Sequence, residues 1–144
     1  MKILAIHSDF ITVEPKAKAI KDAESIDKAK LEMKECLVVF SAVEKNDEAN
    51  PGNVAKRLAK EVEDILNQVK SRKVMLYPYV HLTSNPSSHG TALKVLKDAE
   101  SMLLKNKLEV MRAPFGWYKA FTISCKGHPL SELSREFGPE DVEG

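Results

Sequence analysis

The chemistry-capable residues of this chain gather in its last quarter, where Met111 to Phe137 crowds aromatics, a lysine, a histidine and a glutamate around one strand and the segment after it. Aromatic residues make up only 6% of the whole, so that density marks the stretch for a site. Tyr118 to Cys125 is rich in β-branched and aromatic types between turn residues Gly116 and Gly127, which predicts a strand. Alternation then places Lys119 with Phe121, Ile123 and Cys125 on one face, and Tyr118, Ala120, Thr122 and Ser124 on the other. A lysine on an apolar face either snorkels out at the strand end or keeps its ammonium partly desolvated, where it becomes useful to chemistry. His81 follows Met75, Tyr77 and Tyr79 on alternating positions and falls where a strand gives way to a loop. Such a place suits a functional imidazole as well as a structural one bonded to a nearby carbonyl.

Downstream, Gly127-His128-Pro129 reads as a turn into a helix, because proline suits the first helical position. Leu130, Leu133 and Phe137 at i, i+3 and i+7 would face inward on this short C-terminal helix, leaving Glu132 pointing elsewhere with Arg135 as its neighbour. On spacing alone Glu132 is a solvated carboxylate.

The elements that must position these groups follow from hydrophobic pattern. Lys2 to His7 is a buried-strand run that resumes at Phe10 to Val13 after a break at Ser8-Asp9, with His7 a satisfied histidine near the sheet end. Glu14 to Glu32 is charge-rich and reads as an exposed excursion. Leu31 to Val43 contains Cys36-Leu37-Val38-Val39-Phe40, too uniformly apolar to leave one face in water, and hence a central strand. Asn50-Pro51 announces a helix with Val54, Leu58, Val62, Ile65 and Val69 on its buried stripe. Lys73 to Val80 is a strand that Pro78 confines to an edge or bulge. Ser84-Asn85-Pro86 caps a second helix whose inner face runs from Ala92 to Leu103, with His89 exposed in its first turn. Glu109 to Ala113 adds a short strand before the Pro114-Phe115-Gly116 turn. The fold class expected is α/β (α+β): a mixed, largely antiparallel sheet backed by two long helices and the short C-terminal one.

At 144 residues the chain makes one domain with a real core. A formal charge of +1 argues against a protein that grips many phosphates unaided, so weak stand-alone affinity for nucleic acid is expected. No run is long and apolar enough for a transmembrane helix and no secretory layout opens the chain, which points to a cytoplasmic protein. Cys36 and Cys125 show no C-x-x-C spacing and read as small core residues. No G-x-S-x-G elbow or convincing serine, histidine and acid set is present, which disfavours covalent catalysis.

A-P-F-G-W-Y-K-A-F from Ala113 to Phe121 and I-S-C-K-G-H-P-L-S-E-L-S-R from Ile123 to Arg135, with I-H-S-D-F at Ile6 to Phe10, V-E-K at Val43 to Lys45 and Y-P-Y-V-H-L-T-S at Tyr77 to Ser84, closely resemble the N-terminal editing domain of archaeal threonyl-tRNA synthetases. The resemblance implies a D-aminoacyl-tRNA deacylase-like fold over residues 1–137, with 138–144 as a linker toward a synthetase body. It implies hydrolysis of L-serine mischarged on threonine tRNA, with Lys119 as main polar catalyst, His81 assisting, and the vicinal hydroxyl of the terminal ribose helping to place water. By the same likeness Val43 lines the amino-acid pocket through its backbone, and Glu132 accepts a hydrogen bond from the substrate. Tyr118, Phe115 and Trp117 offer faces to the terminal adenine; Phe115 and Trp117 could equally be core, and plain packing would explain Val43. The partners implied are the 3′-terminal aminoacyl-adenosine of the tRNA, its serine moiety, a second copy in a homodimer and the synthetase body, with no membrane and no cofactor in this domain. Trp117 stands where the family has tyrosine, and the S-Q-F-T-L and G-P-V-T signatures of free-standing D-aminoacyl-tRNA deacylases are missing. A chiral proofreader and a non-catalytic tRNA-binding or dimerisation appendage are the rival readings.

Overall fold

The computed structural model describes residues 1–27 and 29–140. In chain order they form β1 (Lys2–Lys18), β2 (Leu31–Ala42), α1 (Pro51–Val69), β3 (Lys73–Pro78), α2 (His89–Lys105), β4 (Glu109–Arg112), β5 (Trp117–Cys125) and β6 (Glu132–Glu136), with single 3₁₀ turns at Lys45–Ala49 and Val80–Leu82. The six-stranded sheet runs β4-β3-β2-β1-β5, and β6 also pairs with β1. β2, β3 and β4 are parallel, joined by α1 and α2 as crossovers, whereas β1 is antiparallel to β2, β5 and β6. This is the expected mixed sheet backed by two long helices.

α1 begins as its sequence dictates: the Asn50 side chain accepts from the Asn53 N–H at 3.3 Å, Pro51 occupies the first turn, and Lys70 closes the helix in the left-handed region at φ 58°. Its stripe of Val54, Leu58, Val62 and Ile65 is wholly buried against the sheet with Leu96 and Leu103 of α2. α2 starts later than Ser84-Asn85-Pro86 suggests. Ser88 is the cap, accepting from the Thr91 N–H, because the earlier residues are spent on a loop. There the Asn85 carbonyl accepts from the Lys45 N–H, the Asn85 N–H donates to Thr83 Oγ1, and Pro86 bridges to Glu44.

The two faces of the sheet exchange midway along β1 and β2. Ile3, Ala5, Leu37 and Val39 point to the helices, with Leu4, Ile6, Cys36, Val38 and Phe40 on the opposite side. Beyond Asp9 and Glu35 the parity slips by one, so that Ile11, Val13, Leu31 and Met33 join that opposite side. Glu35 has a positive φ of 48°, and the register of β1 on β5 shifts between Ser8 and Phe10. Lys126 ties this point together, its Nζ 2.7 Å from Asp9 and 2.9 Å from Glu35. The expected break at Ser8-Asp9 is thus a bulge in one continuous strand. Its effect is to curl β5 over the second core: Phe121 of β5 meets Phe40 and Tyr77 at ring-centroid distances of 5.7 and 5.3 Å although β5 pairs only with β1.

Several expectations are corrected. The segment after Pro129 is a strand, not a short helix: β6 pairs Glu132–Glu136 with Lys2–Ile6. β5 covers only Ser8–Lys18 of β1, so the N–H and C=O groups of Lys2–Ile6 would otherwise lack partners on that edge. Leu133 and Phe137 satisfy strand alternation as well as helical spacing, and Leu130, the residue that favoured a helix, is exposed. β1 extends to Lys18, so Glu14–Lys18 belongs to the sheet and not to an excursion. β3 is internal; Pro78 merely ends it, where its missing N–H costs no ladder bond to β4. Cys36 is buried as expected but Cys125 is exposed, and both are free thiols. Of the expected linker 138–144, residues 141–144 lie outside the described residues, while Pro139 is buried and its carbonyl accepts from Asn53 Nδ2 at 3.5 Å. Among the described residues no helix is long and apolar enough to cross a membrane.

Candidate active site

A cavity of about 540 Å³ opens at the carboxyl ends of the parallel strands β2 and β3. Ser41, Ala42 and Val43 form one wall, Tyr77 to His81 a second, the approach to α2 and its first turns a third, and Phe115 to Lys119 with Phe121 the lid-like side supplied by the curled β5 and the turn that leads into it. Ala19 and Ile20, where the chain leaves β1, complete the rim. The volume lies in the range of pockets that enclose small ligands.

Lys119 is the polar centre of this cavity. Its Nζ donates to the carbonyls of Pro114 and Trp117, each at 3.0 Å, and lies 5.1 Å from the centroid of the Tyr77 ring. An ammonium has three N–H donors, so one remains for a ligand. Burial drives its pKa from the ordinary 10.5 down to about 8, with the Glu24 carboxylate pulling the other way. Of the two readings of this lysine, the structure selects the desolvated one. Burial also raises the Tyr77 phenol, which stays neutral.

His81 lies in the 3₁₀ turn after β3, exposed, with its ring edge-on to Tyr79 at 5.3 Å. Val43 is buried at the end of β2, and its carbonyl accepts from the Ser87 N–H at 3.0 Å, which fixes that backbone wall. Phe115 is half-buried and meets His89 edge-on at 6.2 Å. Trp117 is half-buried with its indole Nε1 donating to the Glu24 carbonyl at 2.8 Å. Tyr118 is 64% exposed at the mouth. Lys119, His81, Val43, Phe115, Trp117 and Tyr118 therefore share one cavity.

Glu132 does not join them. It is exposed on β6 opposite Ile6, at the far half of β1 from Pro15, which pairs with Lys119. It is the solvated carboxylate that spacing predicts, carried on a strand in place of a helix, and it does not reach the position that the family resemblance implies.

Two residues with a part in the site escape sequence reasoning. Glu24, in the charge-rich segment read as solvated, binds Arg112 through both carboxylate oxygens at 2.7 and 2.6 Å and accepts from the Phe115 N–H at 2.9 Å. Burial alone would raise its carboxyl, yet the Arg112 guanidinium and the Phe115 N–H hold it below its ordinary value. The available signal was Arg112 itself, a guanidinium inside a predicted strand between Met111 and Ala113, which demands a partner. His89, expected to be exposed, is so and yet lines the cavity at the start of α2.

This architecture is shared with a solved structure, the c-Myc DNA Unwinding Element Binding Protein, at a TM-score of 0.66 over 95% of this chain and 99% of that one. With 9% identity the likeness defines a fold and nothing narrower. The sequence is more specific. Residues 1–137 match the profile of the archaea-specific editing domain of threonyl-tRNA synthetase, and the chain belongs to that family. It is 54% identical to the threonine–tRNA ligase of Methanocaldococcus jannaschii over 136 residues, covering 94% of this chain and 22% of that protein. The ligases of Methanobrevibacter smithii and Thermococcus sibiricus are 54% and 46% identical over 98% and 99% of this chain, and each is covered to 23%. The chain thus spans less than a quarter of the length of these relatives.

Proposed function

We propose that this domain is a cytoplasmic proofreading hydrolase that cleaves the ester of L-serine mischarged onto threonine tRNA, working as a homodimer joined to a synthetase body. The observation that carries the reading is Lys119: a desolvated ammonium, held by two carbonyls in a small-molecule cavity, with one N–H left over. Ester hydrolysis passes through a tetrahedral oxyanion and needs a placed water and a donor aimed at the developing charge. With a pKa near 8 the amine is mostly protonated at neutral pH, and both carbonyls favour that form, so the cation is the acting species. It orients the water or balances the oxyanion, while His81 on the neighbouring wall assists. Val43 borders the amino-acid moiety, and Phe115, Trp117 and Tyr118 offer surfaces to the terminal adenosine.

The need for such a site follows from the substrate pair. Serine lacks only a methyl of threonine, a difference worth roughly 1–3 kcal/mol in an apolar pocket, so a second sieve that hydrolyses the smaller ester supplies the missing selectivity.

Deacylation assays on threonine tRNA charged with serine, with threonine and with a D-amino acid test the proposal. The expected result is rapid loss of serine, slow loss of threonine, and a Lys119→Met chain that folds but does not hydrolyse seryl-tRNA. Preferential release of the D-amino acid would make the domain a chiral proofreader, and binding without turnover would make it an appendage.

A further inference from the structure

The ammonium of Lys119 is held by a turn, and the turn is held by a residue outside the cavity. Both acceptors of Nζ, the carbonyls of Pro114 and Trp117, belong to the turn that leads from β4 into the first residue of β5. Glu24 fastens this turn and the end of β4 before it. Its carboxylate takes the Phe115 N–H and both terminal nitrogens of Arg112, its carbonyl takes the Trp117 indole at 2.8 Å, and its own N–H donates to the Phe115 carbonyl at 3.0 Å. A further bond from the Ala19 N–H to the Gly116 carbonyl, at 2.8 Å, lays the strap Ala19 to Glu24 along the turn. Gly116 makes this approach possible: at φ +82°, a Cβ there would stand 2.8 Å from Ile20 Cγ1. Arg112 is anchored from behind, its Nε donating to Glu100 of α2 at 2.9 Å.

We propose that Glu24 is a positioning residue for the editing reaction, fixing the Pro114–Trp117 turn so that two carbonyls point at Lys119. The inference rests on the reading of Lys119 given above. Glu24 does not line the cavity and would touch no substrate. It acts through backbone it holds and through its charge. The titratable groups around Lys119 are the Tyr77 ring on β3, Glu24 with Arg112 on the strap and β4, and Tyr79, His81, His89 and Tyr118 around the cavity wall. Glu24 is the one carboxylate among them that acts on the ammonium.

The test compares seryl-tRNA deacylation by the unaltered chain, Glu24→Gln, Glu100→Gln and Lys119→Met across pH, each rate corrected for spontaneous hydrolysis of the same tRNA. Glu24→Gln removes the charge and weakens the grip on Phe115 and Arg112. Its kcat is expected to fall on the order of tenfold with KM within about twofold, because the loss is felt by the oriented ammonium and not by substrate binding. The alkaline limb of its profile, near pH 8 in the unaltered chain, is expected to move toward neutrality, since Lys119 loses the one charge that supports its proton. Glu100→Gln removes the charge that faces Arg112 on its other side without touching the turn, and should leave both readouts in place. A Glu24→Gln chain with native kcat and native limb, or a Glu100→Gln chain that matches it in both losses, overturns the proposal. Should Glu24→Gln not fold, Glu24→Asp keeps the charge with a shorter reach; a kcat below that of the unaltered chain with the limb retained supports the assignment, and a native kcat sinks it. Full activity in Lys119→Met defeats the underlying reading, whereas an inactive Lys119→Met beside an unimpaired Glu24→Gln defeats this one alone.

Discussion

Replacing Lys119 with methionine should make the protein more stable as it loses activity. A buried ammonium whose pKa falls from 10.5 to about 8 is held in the fold against its preference for water. At roughly 1.4 kcal/mol for each tenfold, the ceiling on that penalty is on the order of 3 kcal/mol. Water entering an open cavity, and the loss of two bonds to the Pro114 and Trp117 carbonyls, reduce the expected gain to about 1–2 kcal/mol. Methionine matches the lysine stem in length and can keep the contact with the Tyr77 ring. For a chain of this size the gain corresponds to a midpoint raised by about 3 to 8 °C. The pH dependence gives a second, independent readout. Below about pH 8 the folded and unfolded chains both carry the proton, and the full penalty applies. From about 8 to 10.5 the folded state has released it and the unfolded state has not, so native stability rises with pH and the gap between the two chains closes. Calorimetry at pH 7 and pH 10, paired with seryl-tRNA deacylation, measures all of this. A methionine chain that is less stable at pH 7, or equally displaced at both pH values, would refute the claim that this ammonium is desolvated.

Two further predictions concern the frame around the site. His7 Nδ1 and His128 Nε2 lie 2.7 Å apart, and the Leu130 N–H occupies His128 Nδ1, so His128 donates to His7 and both rings are neutral. Burial, then the neighbouring His128 and Lys126, lower the His7 pKa below 6.5, so stability is lost as pH falls through that value; His7→Asn should flatten the melting-temperature slope between pH 7 and 5, and an unchanged slope would remove His7 from the acid response. Gly116→Ala should cost about 1–3 kcal/mol, from a positive φ and a Cβ only 3.0 Å from the Ala23 backbone, and should expose amides of the Ala19–Glu24 strap to hydrogen exchange; native protection there would count against close packing of strap and turn.

The parts of this structure legible in the sequence are those where one periodicity excludes the other. The stripe of α1 and the Asn50-Pro51 start admit only a helix, and the Cys36–Phe40 run is apolar on both faces because both cores need it. The face of Lys119 was legible from β-alternation alone, and the structure sets it against Tyr77. The stretch from Leu130 to Phe137 misled because its apolar spacing fits both periods, and the deciding fact, the unpaired edge of Lys2–Ile6, lies at the other end of the chain. Glu24 was illegible for a related reason: a carboxylate among lysines and aspartates looks solvated until the fold delivers Arg112 to it. Residue type reveals a demand for a partner more readily than it reveals which partner answers.

The exchange of faces at Asp9 and Glu35 has a consequence for how this domain can change in length. A single residue added to β1 between Ile6 and Ser8 would send Leu4 and Ile6 toward the helices and expel Ile3 and Ala5, while the half beyond Asp9 kept its old orientation. The two halves would then disagree about which side is inside, and β5 would no longer arch over Tyr77. Growth or trimming is cheap in the surface connections, but the spacing between Ile3 and Val13 is in effect a ruler for the cavity.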